Sequence, residues 1–277
     1  MITPRKSTAR IDIERYDAET SRTRRDMVAV EEPMEIRLSV PGQGEHTVAV
    51  TMRTPGNDFE LAAGFLFSEG LIASRADVAD LRYCDVDPQE YNVVTVQLRP
   101  GVPFDPESLT RNFYTTSSCG VCGKASLEAV EIKGCAPLPD GELLLDPSAI
   151  RAMPGGLRER QTVFERTGGL HAASLFDGAG KPGSLREDVG RHNAVDKVIG
   201  EAFLEGRLPL ADQALAVSGR ASFEILQKVL SAGIPAVVAV GAPSSLAVDL
   251  ARQFNITLIG FTKPEGFNVY TGARRVG

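Results

Sequence analysis

Residues 214–261 read ALAVSGRASFEILQKVLSAGIPAVVAVGAPSSLAVDLARQFNITLIGF. Three short apolar runs, at 214–219, 236–242 and 257–261, alternate here with two stretches whose apolar residues recur at helical spacing. Short apolar runs of this kind are typical of strands buried on both faces of a sheet. Strands that alternate with helices through short links predict a parallel or mixed sheet covered by helices, so we assign the second half of the chain to the α/β class.

The same rhythm extends upstream of this stretch. HAASLF at 171–176 predicts another buried strand, and NAVDKVIGEAFLEG at 193–206 predicts another helix that ends in glycine.

The first hundred residues have a different pattern. MEIRLSV and HTVAVTM alternate apolar and polar residues on either side of the turn PGQG, which predicts a β-hairpin. NDFELAAGFLFSEGLI predicts a helix, with Asn57 and Glu60 spaced as in a capping box. LRYCDV and VVTVQLR predict a further strand pair. This half is therefore expected to be an α+β unit rich in antiparallel strands.

These patterns predict four segments. Residues 1–26 are read as polar without an apolar period and are expected to form a loose N-terminal arm, or an arm ordered by a partner. A smaller N-terminal α+β subdomain is expected over 27–112, a mobile loop carrying a Cys-x-x-Cys pair over 113–126, and the α/β domain over 127–277.

Composition excludes several classes of protein. A net charge of −6 and a pI near 5.3 argue against a duplex nucleic-acid binder, which usually has a basic excess. The charged N-terminus has no apolar signal region, and no apolar run approaches the length of a membrane span. Four cysteines do not make a disulfide framework, so we expect a cytoplasmic protein whose thiols are available for chemistry.

The stretch TTSSCGVCGKAS at 115–126 places Cys119 and Cys122 three positions apart among small residues, with Lys124 behind them. A thiolate is the reactive form of cysteine, and a nearby lysine favours it. An exposed thiolate on a mobile segment suits transfer chemistry, because one sulfur atom must meet two different partners. Cys119, Cys122 and Lys124 are therefore candidate catalytic residues.

Two other interpretations of the pair stay open. The cysteines are either small structural residues in a turn or two ligands of a metal ion. A zinc site usually needs four ligands, and neither Cys84, Cys135 nor the three histidines show ligand-like spacing. We therefore favour a reactive thiol and predict no metal.

Glycine–arginine pairs in the second half suggest where an anion binds. Gly190–Arg191 and Gly219–Arg220 are each predicted to open a helix, and Ser244 or Ser245 to cap a third. Free N–H groups at a helix start attract anions, and arginine adds a bidentate donor. Because such turns converge at one edge of a parallel sheet, the expected ligand carries phosphates. A tight turn with a solvated arginine remains the alternative for either pair taken alone.

Five motifs together resemble one known family. SSCGVCGKAS, GGLHAASLF, REDVGRHNAVDKVIG, VSGRASFEI and GFTKPEGFNVYTG occur in the order found in the formate dehydrogenase accessory sulfurtransferase family (FdhD). The resemblance runs from about Met27 to Gly272 and leaves the first 26 residues outside it.

The resemblance implies a function and partners. Members of this family accept sulfur as a cysteine persulfide from a cysteine desulfurase and pass it to molybdenum bis(molybdopterin guanine dinucleotide), the cofactor that apo formate dehydrogenase needs in sulfurated form. The persulfide cysteine of the family corresponds to Cys119 here. Cys122 is expected to resolve the persulfide, relay its sulfur or only tune Cys119, and the sequence does not choose among these roles.

The resemblance also implies a fold and a binding segment. The family fold is similar to that of cytidine deaminases with a smaller N-terminal subdomain, and its members are typically homodimers. GDP is the expected analogue of the bound substrate. The candidate cofactor contacts comprise the segment that corresponds to the family's C-terminal contact region and three residues from the glycine–arginine motifs: Phe261, Thr262, Lys263, Pro264, Glu265, Gly266, Arg191, Ser218 and Arg220.

Two rival functions follow from the same residues. A non-enzymatic molybdenum cofactor chaperone would need the anion site but not the cysteines. A zinc deaminase-like enzyme would need the patterns H-x-E and P-C-x-x-C. Here Ala173 stands two residues after His171, and Ser118 precedes Cys119, so the zinc machinery of a deaminase is missing from these motifs.

Overall fold

The computed structural model describes residues 6–85, 89–106, 136–141 and 143–277. Within these residues the chain forms a two-stranded, a four-stranded and a six-stranded sheet. The predicted loop at 113–126 and both of its boundaries lie outside the described residues.

The N-terminal residues form an antiparallel hairpin rather than the predicted loose arm. Strand β1 (Thr8–Tyr16) pairs with β2 (Ser21–Ala29) along its whole length. Asp17 closes the turn by accepting a 3.0 Å hydrogen bond from the backbone N–H of Thr20. Most side chains of the hairpin are exposed. Ala9, Ile11 and Ile13 do alternate with polar residues in β1, whereas β2 is polar from Ser21 to Asp26, so only one of the two strands carries the alternation by which a half-buried strand is recognised.

The four-stranded sheet has the order β4-β3-β6-β5. The predicted hairpin is confirmed, because β3 and β4 are antiparallel neighbours, and β5 and β6 form the second predicted antiparallel pair. β3 and β6 run parallel at the centre. The bounds of the four strands are Glu32–Val40 for β3, Gly44–Arg53 for β4, Val78–Tyr83 for β5 and Val93–Leu98 for β6.

Helix α1 (Asp58–Ser68) covers one face of this sheet and buries Leu61 and Leu66 against its apolar side chains. The predicted capping box is wrong. Asn57 does stand at the N-cap, but it has a φ of 58° and its side chain makes no capping hydrogen bond. The Glu60 carboxylate instead accepts a 2.9 Å hydrogen bond from Arg186, a partner 126 residues away. A tertiary ion pair thus takes the group that the local motif would use.

The six-stranded sheet is mixed and has the order β12-β11-β10-β9-β7-β8. The runs predicted at 171–176, 214–219, 236–242 and 257–261 all contain strands of this sheet. β9, β10 and β11 are parallel, whereas β7 is antiparallel to both of its neighbours and β12 is antiparallel to β11. The bounds are His171–Phe176 for β7, Pro182–Asp188 for β8, Ala214–Val217 for β9, Ala236–Ala239 for β10, Thr257–Lys263 for β11 and Gly266–Thr271 for β12.

Helices cover both faces of this sheet. Alternate strand residues such as Leu215 and Val237 pack on one face against three helices, and their neighbours Ala216 and Val238 pack on the other face against one helix. The helices are α2 (Pro147–Arg160) on the second face and, on the first face, α4 (Arg191–Leu204), α5 (Phe223–Ser231) and α6 (Ser245–Gln253), with the short α3 (Thr162–Thr167) after α2. None of the helices in the described part of the chain is both long and apolar enough to cross a membrane.

Helix α1 and helix α4 join the two larger sheets through a close contact between glycines. A Cβ atom built on Gly64 would lie 1.9 Å from the backbone oxygen of Asp196. One built on Gly200 would lie 1.8 Å from the backbone oxygen of Glu60. The two helix backbones therefore approach each other more closely than any other residue pair at these positions would allow.

Candidate functional site

The carboxyl ends of four strands meet at one edge of the six-stranded sheet. β9, β10 and β11 run in one direction, and β8 shares it because β7 is antiparallel to both β8 and β9. The amino end of β7 lies at the same edge. We call this edge, with the turns that follow β8 to β11, the ligand edge, since α/β sheets bind ligands at the carboxyl ends of their strands.

Gly219, His171 and Arg191 are neighbours at the ligand edge. A Cβ atom built on Gly219 would lie 3.4 Å from Nδ1 of His171 and 3.9 Å from Cδ of Arg191. Arg191 opens α4, with Gly190 at the N-cap, as the sequence predicts. The turn after β9 thus packs directly against the arginine that follows β8.

Arg220 is adjacent to the turn that follows β10. A Cβ atom built on Gly241 would lie 3.0 Å from Cγ of Arg220, so a side chain there would push the arginine aside. The N–H of Gly241 donates a 2.9 Å hydrogen bond to the oxygen of Gly219, and the N–H of Phe261 donates a 3.1 Å hydrogen bond to the oxygen of Gly241. The turns after β9 and β10 and the end of β11 at Phe261 are therefore linked in sequence by their main chains.

The prediction that Gly219–Arg220 opens a helix is wrong. Helix α5 begins at Phe223, with Ser222 at the N-cap, so Arg220 lies in the preceding turn and is exposed. The chain stays extended beyond Arg220 because Ala221 forms a β-bridge with Pro243. The third prediction is confirmed, since the Ser244 side chain caps α6 by accepting a hydrogen bond from the N–H of Ala247.

The predicted C-terminal contact segment lies at the outer part of the ligand edge. Phe261 is 50% exposed and has a φ of 52°, in a region where the register between β11 and β12 shifts. Lys263 and Gly266 pair across the turn, and Lys263, Pro264 and Glu265 are all exposed. A non-glycine residue with positive φ costs free energy, and an exposed aromatic ring held in this way offers a flat apolar surface next to the charged turns.

Two of the predicted contact residues, Thr262 and Ser218, are less exposed than Phe261 and Lys263. Thr262 is 2% exposed, and its hydroxyl has no hydrogen-bond partner among the described residues. Ser218 is half-buried, and its hydroxyl oxygen accepts a 2.9 Å hydrogen bond from the N–H of Ala172. Ser218 therefore connects β9 to β7 as well as lying beside the glycine turn.

The ligand edge also contains a histidine cluster that pattern reasoning only partly found. Nε2 of His192 lies 2.9 Å from Glu224 and 3.1 Å from the hydroxyl of Ser222. The hydrogen bond with His192 holds the pKa of the Glu224 carboxyl below its usual range. Ser222 and Glu224 carry no motif of their own, and only the packing of α5 beside α4 brings them to His192.

The electrostatics of the edge favour an anionic ligand. Burial lowers the pKa of His171, and the neighbouring Arg191 and His192 lower it further, so the neutral imidazole is favoured near pH 7. Nε of Arg191 is buried and has no hydrogen-bond partner among the described residues. Arg191, Arg220 and Lys263 are the cationic side chains here that are able to bind phosphate groups.

The predicted catalytic residues Cys119, Cys122 and Lys124 lie outside the described residues, as does Cys135. Cys84 is a free thiol of intermediate burial at the end of β5. Among the described residues no group of three histidine, cysteine, aspartate or glutamate side chains is arranged to hold a metal ion.

A cavity of about 410 Å³ lies elsewhere, between the start of α1, the start of α3 and β8. None of the predicted cofactor contacts lines it, and its charged groups already have partners: Lys197 bonds to Asp188, and Arg186 bonds to Glu60. Its volume therefore does not make it a better candidate site than the ligand edge.

Comparisons with known proteins agree with the resemblance found in the motifs. The chain is 52% identical over 259 residues to the sulfur carrier protein FdhD of Streptomyces coelicolor, covering 92% of this chain and 90% of that protein. It is 51% identical over 278 residues to the sulfur carrier protein FdhD of Mycobacterium tuberculosis, covering 98% and 99%. The latter match extends into the first 26 residues, which the motif resemblance left outside.

The fold has a solved counterpart. The chain superposes with a TM-score of 0.76 and 25% identity on the crystal structure of a protein from Desulfotalea psychrophila assigned as a formate dehydrogenase accessory protein, covering 98% of this chain and 100% of that one. The mixed α/β architecture is confirmed in this way, whereas the similarity to cytidine deaminases stays a prediction.

The family assignment rests on most of the chain, because the model of the FdhD/NarQ family matches residues 29–277. The matched region includes all strands of both larger sheets and every turn of the ligand edge. The chain belongs to the FdhD/NarQ family.

Proposed function

We propose that this protein is a sulfurtransferase that accepts persulfide sulfur from a cysteine desulfurase and transfers it to the molybdenum bis(molybdopterin guanine dinucleotide) cofactor of formate dehydrogenase. The observation that carries the proposal is the close similarity to curated sulfur carrier proteins, at 50% identity or more over nearly the whole chain. The Cys-x-x-Cys pair supplies a chemical group suited to the role.

The first step of the proposal is sulfur loading on Cys119. Its thiolate attacks the outer sulfur of the donor's cysteine persulfide. A bond forms between Sγ of Cys119 and that sulfur, the donor's S–S bond breaks, and the donor cysteine leaves as a thiolate. Lys124 favours the anionic form of Cys119. Cys122 then resolves the persulfide, relays the sulfur or tunes the pKa of Cys119.

Sulfur loading is tested by mass spectrometry with peptide mapping after incubation with a cysteine desulfurase and cysteine. The wild-type protein should gain the mass of one sulfur atom on the peptide that contains Cys119, and Cys119→Ala should not gain it. Cys84→Ala is the matched control and should load normally, since Cys84 lies at the end of a strand of the N-terminal sheet. Loading that survives in Cys119→Ala and vanishes in Cys122→Ala would reverse the assignment of the two cysteines.

The second part of the proposal is that the guanine nucleotide end of the cofactor binds at the ligand edge. Arg191, Arg220 and Lys263 would bind the pyrophosphate, and the exposed ring of Phe261 would stack on the guanine base. GDP carries both of these chemical groups and is the probe for the site.

Arg220→Ala should weaken the binding of GDP by roughly tenfold or more, because a hydrogen bond between charged groups contributes about 1.5–3 kcal/mol. Isothermal titration calorimetry at low salt measures the dissociation constant. Arg252→Ala is the matched control: Arg252 is an exposed arginine in the last turn of α6, paired with Asp249. Equal affinities of wild type and Arg220→Ala would remove Arg220 from the site.

A cofactor chaperone without sulfur chemistry is the second candidate function, favoured by the buried Nε of Arg191, which has no hydrogen-bond partner among the described residues and is available to an anion. Cysteine variants that still activate formate dehydrogenase would support it. Loss of activation in Cys119→Ala with unchanged affinity for GDP would support the sulfurtransferase instead.

A further inference from the structure

The turn that presents Arg191 is fixed by one buried carboxylate. Asp188 ends β8 and has no exposed surface. One of its oxygens accepts hydrogen bonds from the N–H of Gly190 (2.8 Å) and from the amide of Asn193 (3.0 Å). These two donors flank Arg191 in the chain, so the carboxylate sets the path of the backbone on both sides of that residue.

The other oxygen of Asp188 reaches the N-terminal subdomain. It accepts a 3.1 Å hydrogen bond from the N–H of Thr54, which follows β4, and it pairs with the ammonium group of Lys197 at 2.7 Å. Lys197 is 1% exposed and donates a second hydrogen bond, of 2.9 Å, to the backbone oxygen of Thr54. The hydroxyl of Thr54 accepts a 3.3 Å hydrogen bond from the N–H of Val189. All the polar groups of Thr54 are thus bonded to residues 188–197.

Asn193 adds a second link between the same two parts of the chain. Its amide donates a 2.8 Å hydrogen bond to the backbone oxygen of Met52, and its oxygen lies 3.3 Å from the hydroxyl of Thr51. The end of β4 is therefore attached to the Gly190–Arg191 turn by at least four hydrogen bonds. We call Thr54, Asp188, Asn193 and Lys197 the latch.

A second buried ion pair on α4, between Asp196 and Lys228, serves as a comparison for the pair between Asp188 and Lys197. Asp196 pairs with Lys228 at 2.8 Å and accepts a hydrogen bond from Ser68 of α1, and both charged residues are buried. That pair holds three helices together, and its carboxylate binds no backbone N–H of the ligand edge. Of these two buried carboxylates, that of Asp188 is the one that contacts the turn carrying Arg191.

We propose that Asp188 is a positioning residue for Arg191. Through the latch, anion binding at the ligand edge then depends on the position of the end of β4, in the N-terminal subdomain, relative to the Gly190–Arg191 turn. This inference rests on the proposed function for the identity of the anion. The physical reason is pre-organisation: an arginine on a fixed turn loses less conformational freedom when it binds phosphate than one on a loose turn does.

Asp188→Asn tests the proposal, because an amide presents an NH₂ group where the structure places only donors, and it removes the charge that Lys197 pairs with. Asp196→Asn is the matched control, as it also leaves a buried lysine without its carboxylate. At equal global stability, hydrogen–deuterium exchange of the backbone amides at 189–193 should accelerate in Asp188→Asn and stay at the wild-type rate in Asp196→Asn.

GDP affinity is the second readout. It should fall about tenfold in Asp188→Asn and less than about twofold in Asp196→Asn, the tenfold change corresponding to about 1.4 kcal/mol. If Asp188→Asn does not fold, Asn193→Ala removes the link to Met52 while leaving the ion pair intact, with Ser68→Ala as its control. In Asn193→Ala, hydrogen exchange at 189–193 should accelerate and GDP affinity should fall, each by less than in Asp188→Asn.

The outcomes separate this inference from the proposed function. Exchange at 189–193 and GDP affinity that change equally in the Asp188 and Asp196 variants would overturn the positioning role. A wild-type protein that does not bind GDP would remove the nucleotide from the proposed function, and the exchange measurement would still decide whether Asp188 fixes the turn.

Discussion

Replacing Gly64 with alanine should lower the free energy of unfolding by about 3 kcal/mol or more, because the new methyl group has no space. Its carbon would lie 1.9 Å from the backbone oxygen of Asp196 and 2.9 Å from the backbone nitrogen of Gly200. A flexible side chain could turn away from such a clash, but these atoms belong to the backbone of α4. The two helices must therefore move apart and give up packing between the subdomains.

A matched control separates this clash from the intrinsic helix propensity. Gly155 lies inside α2, and a Cβ atom built there meets nothing within 4 Å. Gly155→Ala should stabilise the protein by about 0.5–1 kcal/mol, the usual gain from replacing a helical glycine. Opposite signs for two glycine-to-alanine changes in helices would identify close packing as the cause of the loss at Gly64.

The measurement is urea unfolding followed by circular dichroism, since the chain has no tryptophan. Gly200→Ala should behave like Gly64→Ala, because its methyl carbon would lie 1.8 Å from the oxygen of Glu60 in the same contact. The double variant should lose less than the sum of the two, as helices already separated accept the second methyl group more easily. An unchanged urea midpoint in Gly64→Ala would show that the helices are not in this contact.

Lys228→Met should destabilise the protein by about 3–5 kcal/mol, because it leaves a buried carboxylate without its cation. Lys228 is 8% exposed and Asp196 is 1% exposed, and the ammonium group lies within 2.9 Å of both carboxylate oxygens. The hydroxyl of Ser68 is a further donor to Asp196, at 3.2 Å, but it carries no charge. The exposed Lys181, replaced in the same way, is the control and should change stability by less than about 0.5 kcal/mol.

The loss of unfolding free energy in Lys228→Met should depend on pH. Burial raises the pKa of Asp196, and Lys228 opposes that shift, so the variant has a still higher pKa at Asp196. An acid whose pKa is higher in the folded state than in the unfolded state contributes stability at low pH that is lost as pH rises through the folded value. The variant should therefore recover towards wild type as pH falls from 7 towards about 5.

A second change distinguishes the unpaired charge from lost packing. Lys228→Met combined with Asp196→Asn removes both charges and keeps an acceptor for Ser68. This double variant should regain more than half of the lost stability at pH 7, and its stability relative to wild type should no longer follow the titration of residue 196. A double variant as unstable as Lys228→Met alone would mean that the ion pair is not what the single change disrupts.

Local patterns were sufficient to predict most of the strands and helices of this protein. The apolar runs at 171–176 and 236–242 and the helical spacing at 193–206 each overlap an element of the predicted type. These patterns are informative because a strand or helix with a buried side repeats its apolar residues at the period of that element. The hairpin at 8–29 has no fully buried side chain, and its pattern is short: Ala9, Ile11 and Ile13 alternate with polar residues in β1, but β2 has no such alternation.

The candidate site likewise contains residues that sequence motifs reveal and residues that only the structure reveals. Sequence motifs alone brought out the Cys-x-x-Cys pair, the glycine turns with Arg191 and Arg220, and the C-terminal segment around Phe261, because each is a short run of unusual residues. Glu224, which bonds to His192, and Asp188, which fixes the turn before Arg191, gave no signal, as a carboxylate in a sequence does not reveal its partner.

The amino-acid sequence by itself determined the α/β class of the second half, most of its strands and helices and the chemical groups offered to a ligand, since these depend on residues close together in the chain. Only the tertiary structure decided that Glu60 pairs with Arg186 instead of capping its helix, and that Thr54 is bonded to Asp188. The physical reason is that a charged side chain binds whichever opposite group lies nearest in space. Which group that is depends on how α1 and α4 pack, at two glycines 136 residues apart.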